Sequence, residues 1–132
     1  MNNPLNGILK AATWIVWGSI FFSLFFYRIY LWGDVSSGSH IDVFFLTMLL
    51  VPFLGSLFIR WYLIRKTRNL FVLLILTIAG SAIGESLGFY GIFLFHGHRD
   101  LFFIASIVSV GQFIPLYMHR RVEPAAGGDA TR

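Results

Sequence analysis

The chain has 132 residues, 57% of them hydrophobic and 12% charged, and its mean hydropathy of +0.75 lies well above that of soluble domains. The formal charge of +4 comes from Lys and Arg set mainly beside apolar runs, where they fix topology; this is not a nucleic-acid footprint. With no cysteine, disulfides, thiolate metal sites and cysteine nucleophiles are excluded.

The predicted fold is all-α, an integral membrane four-helix bundle. Crossing about 30 Å of hydrocarbon takes roughly 20 apolar residues in a helix, and four runs meet or approach that length, at about 8–32, 43–64, 70–95 and 101–118. The first is too long for the apolar core of a secretory signal peptide, and no small-x-small cleavage site follows it. In the second, Pro52 removes one backbone hydrogen bond and favours a bend, with Gly55 and Ser56 close behind. Short connections predict antiparallel neighbours in a single transmembrane bundle over 1–118. The residues that follow, 119–132, are small, polar and rich in Pro and Gly, and are expected to form a disordered basic cytoplasmic tail.

If the chain crosses four times, Lys10, Arg60, Arg65, Lys66, Arg68, Arg120, Arg121 and Arg132 share one side, leaving Arg28 and Arg99 toward the other. The asymmetry predicts that both termini and the Arg65–Asn69 loop are cytoplasmic, in a multi-pass protein of the bacterial inner or plasma membrane. Trp14, Trp17, Trp61, Tyr62 and Tyr117 fall near the inner interface on this reading, and Tyr27, Tyr30, Trp32 and Tyr90 near the outer one. Arg28 and Arg60 are expected to snorkel to the headgroups. Ser19 and Ser23, one turn apart, are expected to bond locally or across helices.

Glu85 is the acidic residue that stands well inside an apolar run. A charged acid at mid-bilayer costs about 2.5–3.5 kcal/mol on insertion scales, which makes such a residue a candidate functional group facing protein or water. At about 100° per residue, Gly80, Gly84, Gly88 and Gly91 form a stripe suited to close helix contact, and Ser81 and Glu85 lie on its flank. Counting from the turn at His98, Glu85 is 13 residues back and Gln112 is 14 forward. Antiparallel packing therefore predicts a Glu85–Gln112 hydrogen bond, with Ser81 or Ser109 nearby.

The segment Ala82-Ile-Gly-Glu-Ser-Leu-Gly-Phe-Tyr-Gly-Ile-Phe-Leu-Phe95 resembles the ion-carrying helix of the rotary ATPase proteolipid family, the c subunit of F-type and V-type ATPases. Glu85, Gly84, Ser86, Gly88, Tyr90 and Gly91 stand where that family has its membrane carboxylate, small residues and Tyr-Gly pair. The resemblance is local, and it implies a relative or analogue in which Glu85 binds a proton, working in a homo- or hetero-oligomer with other membrane subunits. The alternative is a small structural or assembly subunit in which Glu85 only ties helices together by an interhelical hydrogen bond.

No phosphate loop, Ser/His/Asp constellation or paired carboxylates are apparent, so an enzyme is not the expectation. A lipid- or quinone-directed enzyme using Glu85 as general base would need a second catalytic group. His96 and His98, with His40, could converge on a metal, but exposed loop histidines are the commoner case; no metal and no cofactor are expected, and the bilayer itself is the first partner.

Overall fold

The computed structural model describes residues 4–31 and 41–115. Among these residues every regular element is helical and no strand occurs. Four helices result, which we label α1 (Pro4–Tyr30), α2 (Val43–Lys66), α3 (Leu70–Phe93) and α4 (Arg99–Gly111). The first three are long and apolar enough to cross a membrane. Trp32, Asp34, His40, Tyr117, Arg120, Arg121, Arg132 and the expected tail at 119–132 lie outside the described residues.

Local chemistry explains where the helices begin and end. α1 is already helical at Pro4, earlier than the predicted 8, and proline is tolerated in a first helical turn because the N–H it lacks would have no helical partner there. The Asp42 carboxylate accepts from the Phe45 amide at 2.8 Å and opens α2. Asn69 caps α3 in the same manner through the Phe71 amide at 2.9 Å. α4 begins at Arg99 and its continuous helix stops at Gly111, short of the predicted 118. There the chain tightens into three-residue turns, Phe113 N–H to Val110 O and Ile114 N–H to Gly111 O. Pro115 lacks an amide hydrogen and pushes the residue before it out of the α region, which accounts for the break.

α2 continues through Pro52 but changes winding at Ile59–Leu63, a π-helical turn in which the Ile64 amide reaches back to Ile59 O. This turn carries Arg60 inward. The sequence reading placed Arg60 at the headgroups; instead it is only 7% exposed, and its Nε donates to Gln112 O at 2.7 Å. The guanidinium thus meets a carbonyl just beyond the C-terminal end of α4, where the helix dipole favours a cation.

α3 is central, with α1, α2 and α4 all packed against it. Its glycine stripe is the face that α4 covers. A Cβ added to Gly84 would stand 2.8 Å from the Ser109 Cβ, and one on Gly91 would stand 2.7 Å from the Phe102 Cβ, so these backbones approach as only glycine permits. The Ser106 hydroxyl uses the proximity to donate to Gly84 O at 2.8 Å. Around these contacts sit two apolar clusters. One, toward the His96–His98 turn, has Phe45, Phe95 and Phe102 with ring centroids 5.1–5.3 Å apart. The other, toward residues 67–69, gathers Ile64, Leu73 and Phe113 with Trp17.

Trp17 also ties α1 to α4, its indole N–H donating to Val110 O at 2.9 Å while the ring stacks on Phe21 at 5.1 Å. Trp17→Phe keeps the stacking and removes the donor. The expected loss is about 1 kcal/mol of stability, measured by denaturing-detergent titration in mixed micelles; no change would mean that the bond is not formed in the folded protein.

Candidate functional site

Gly84 and Glu85 are consecutive, so their side-chain directions differ by about 100°. With Gly84 facing α4, Glu85 turns toward α1. Two hydroxyls meet it there: Ser23 Oγ lies 2.5 Å and Tyr27 OH 3.1 Å from Glu85 Oε1. Ser23 and Tyr27 are one helical turn apart on α1 and present both oxygens to the same acid. The Tyr27 ring is held over Phe89, centroid to centroid 4.7 Å, and Phe89 is one turn along α3 from Glu85. All three polar side chains are half-buried.

Gln112, the partner expected from depth, turns the other way. Its amide nitrogen donates to Ser56 Oγ at 3.1 Å and its backbone carbonyl takes the Arg60 bond, so it belongs to a polar contact between α4 and α2. Depth sets the two residues level but leaves open how α3 and α4 are rotated toward each other, and the glycine contact fixes that rotation. Ser81 and Ser109 are fully buried and their hydroxyls make no hydrogen bond within the described residues. At Gly80, Gly84, Gly88 and Gly91 an added Cβ would meet Phe113, Ser109, Leu24 and Phe102 respectively as nearest neighbours.

Ser19 bonds locally to Ile15 O at 2.8 Å, whereas Ser23 bonds both locally and across helices. Sequence reasoning treated Tyr27 as an interfacial aromatic and Ser23 as half of a serine pair. The signal for their role was their spacing, two hydroxyls at i and i+4 on one face of an apolar run.

The bonding at Ser23 constrains the protons. Its Oγ lies 2.6 Å from Ile20 O as well as 2.5 Å from Glu85 Oε1, yet a serine hydroxyl has one hydrogen. If Glu85 is ionised, Ser23 and Tyr27 both donate to it, and Ile20 O is left to the helix ladder. If Glu85 is neutral with the proton on Oε1, it donates to Ser23, Ser23 donates to Ile20 O, and Tyr27 still donates to the acid oxygen. The second arrangement uses every short contact. The two differ by one proton and one hydroxyl rotation.

At the neighbouring end, Arg28 Nη1 pairs with Asp100 Oδ1 at 2.7 Å, joining α1 to the start of α4, and its guanidinium lies 5.3 Å from the Phe103 ring centroid. His98 packs edge-on to Phe45 at 5.0 Å. Among the described residues no three His, Asp or Glu side chains are grouped closely enough to hold a metal ion. Comparison with protein-family models, with curated proteins and with solved structures finds no significant match.

Proposed function

We propose that the chain is a proteolipid-like, proton-handling integral membrane subunit in which Glu85 takes up and releases a proton, working within a homo- or hetero-oligomer. The supporting observation is the single hydrogen of Ser23 set between two acceptors. Either protonation state of Glu85 keeps its bonded oxygen satisfied, so exchange requires a hydroxyl to turn and no helix to move. An acid built only to hold two helices together needs no such second state.

In this reading the chain crosses the membrane four times, with the basic loop at 65–69 and both termini in the cytoplasm. The membrane it crosses in this reading is a bacterial inner or plasma membrane. The glycine stripe is occupied inside the chain by α4, so assembly uses other faces; a ring packed through these glycines is not the arrangement proposed.

A second reading rests on the same bonds. Glu85 joins α1 to α3 through Ser23 and Tyr27, which is what an assembly or structural subunit would need. Infrared difference spectroscopy in lipid separates the two, with Glu85→Gln as the reference because it keeps the length and shape of the side chain and cannot ionise. The expected result is a carboxylic C=O band, absent from the variant, that converts reversibly to carboxylate bands as pH is stepped upward. A band that stays fixed across the range in which the protein remains folded would favour the structural reading.

A further inference from the structure

The site differs sharply on its two sides. Toward residues 67–69, Gly84 meets Ser109 and Val110 closely enough that a Cβ would be excluded, and Gly80 lies under the Phe113 ring. Trp17 closes the α1 side of the same level, packed on Ile64, Leu73 and Phe113 with its indole N–H on Val110 O. The buried Thr77 hydroxyl is turned onto its own helix at Leu73 O, 2.8 Å away. Beyond this level Arg60 is engaged with Gln112.

Toward the His96–His98 turn the surroundings are polar. Tyr27 touches the acid, the next residue is Arg28, and Arg28 is paired to Asp100; the side chains of this pair are 40% and 77% exposed, and charges at the end of an apolar helix favour the headgroups and water. Among the described residues, the charged or titratable groups on this side are Tyr27, Arg28 and Tyr30 from α1, Arg99 and Asp100 from α4, and Tyr90, His96 and His98 on α3 and the turn after it. On α2 and its cap the described groups are Asp42 near the same end and Arg60, Tyr62, Arg65 and Lys66 at the opposite one.

We propose that Glu85 exchanges protons with one side of the membrane only, through Tyr27 and the Arg28–Asp100 end, and that the packed level of Gly80, Gly84, Trp17 and Phe113 shuts it from the other. This rests on the reading of Glu85 as a proton site and adds its direction of access. A subunit of this kind does not conduct protons by itself. It samples the pH of one compartment, and transport would require a partner or a rearrangement that opens the second side. In each transfer a proton passes from water to the Tyr27 oxygen as that hydroxyl's own proton passes to Glu85, so Tyr27 ends unchanged and the acid gains one proton.

The experiment uses the full chain in sealed vesicles. Because the chain has no cysteine, a Thr67→Cys variant labelled by an impermeant maleimide gives the fraction of molecules in each orientation. The external pH is then stepped and the Glu85 infrared band followed. The expected responding fraction equals the fraction with the Arg28–Asp100 end outward, and the rest respond only after a protonophore is added. Tyr27→Phe, which keeps the ring over Phe89, should slow the response by about tenfold or more while leaving the final amplitude intact. A response from all molecules, or from those in the opposite orientation, would overturn one-sided access. Loss of that response in Ser81→Ala or Ser109→Ala would then identify the other route. No response even with the protonophore would instead overturn the proton-site reading beneath the proposal.

Discussion

Gly84→Ala is expected to destabilise the folded protein by about 2 kcal/mol, although alanine is the better helix former. The intrinsic gain is at most about 1 kcal/mol. Against it stands a methyl group placed 2.8 Å from the Ser109 Cβ and 3.2 Å from the Ser109 carbonyl carbon. Neither is the far end of a flexible side chain, so α3 and α4 must separate by a few tenths of an ångström or more, and overpacking of this kind costs about 1–3 kcal/mol. Separation would also weaken the Ser106 bond to Gly84 O. Gly84→Leu should prevent the native packing altogether. Gly55→Ala is the control, since its nearest neighbour would be an Ile83 methyl at 3.9 Å; it is expected to be neutral or slightly stabilising. Unfolding in mixed micelles measures all three, and equal effects of alanine at positions 84 and 55 would mean that α3 and α4 are not in backbone contact.

Phe102→Ala should cost about 3 kcal/mol. Phe102 has no exposed surface, stacks on Phe95 and packs edge-on to Phe45. In water-soluble proteins such truncations cost about 3–5 kcal/mol through lost transfer energy and a residual cavity. Lipid tails are as apolar as the ring, so the transfer contribution is small in a bilayer and the loss is mainly one of packing, which places the effect at the lower end. Phe102→Leu should recover more than half of it, and the same unfolding titration tests both. Equal losses for alanine and leucine would point to the aromatic edge contacts in place of filled volume.

The glycine stripe was legible as a surface for close helix contact because small residues recur at helical spacing, but the sequence did not say which helix would lie on it; α4 meets Gly84 and Gly91 most closely. Glu85 stands out in the sequence as a candidate because a carboxylate is anomalous within an apolar run. Its partners do not. The turn between α3 and α4 is short enough to count through, so depth pointed to Gln112, whereas the longer segment at 32–40 gives no count that would set Ser23 or Tyr27 level with the acid. The angle between Gly84 and Glu85 already contained the correction, since an acid 100° from the α4 contact faces another helix. Arg60 differs for another reason: its place near the end of an apolar run points to the headgroups, and nothing in the sequence marks the change of winding at Ile59–Leu63 beside which it meets Gln112.

That π turn also affects how the chain tolerates changes in length. It is one extra residue accommodated within an otherwise regular helix, so losing a residue there would restore ordinary winding and leave the faces of the flanking segments where they are. An equivalent loss between Gly80 and Gly91 would turn the remaining glycines away from α4. Insertions and deletions over evolutionary time would therefore collect in the stretch around Arg60 while α3 keeps its length, and the position of the cation beside α4 would be the part of the architecture most readily gained or lost.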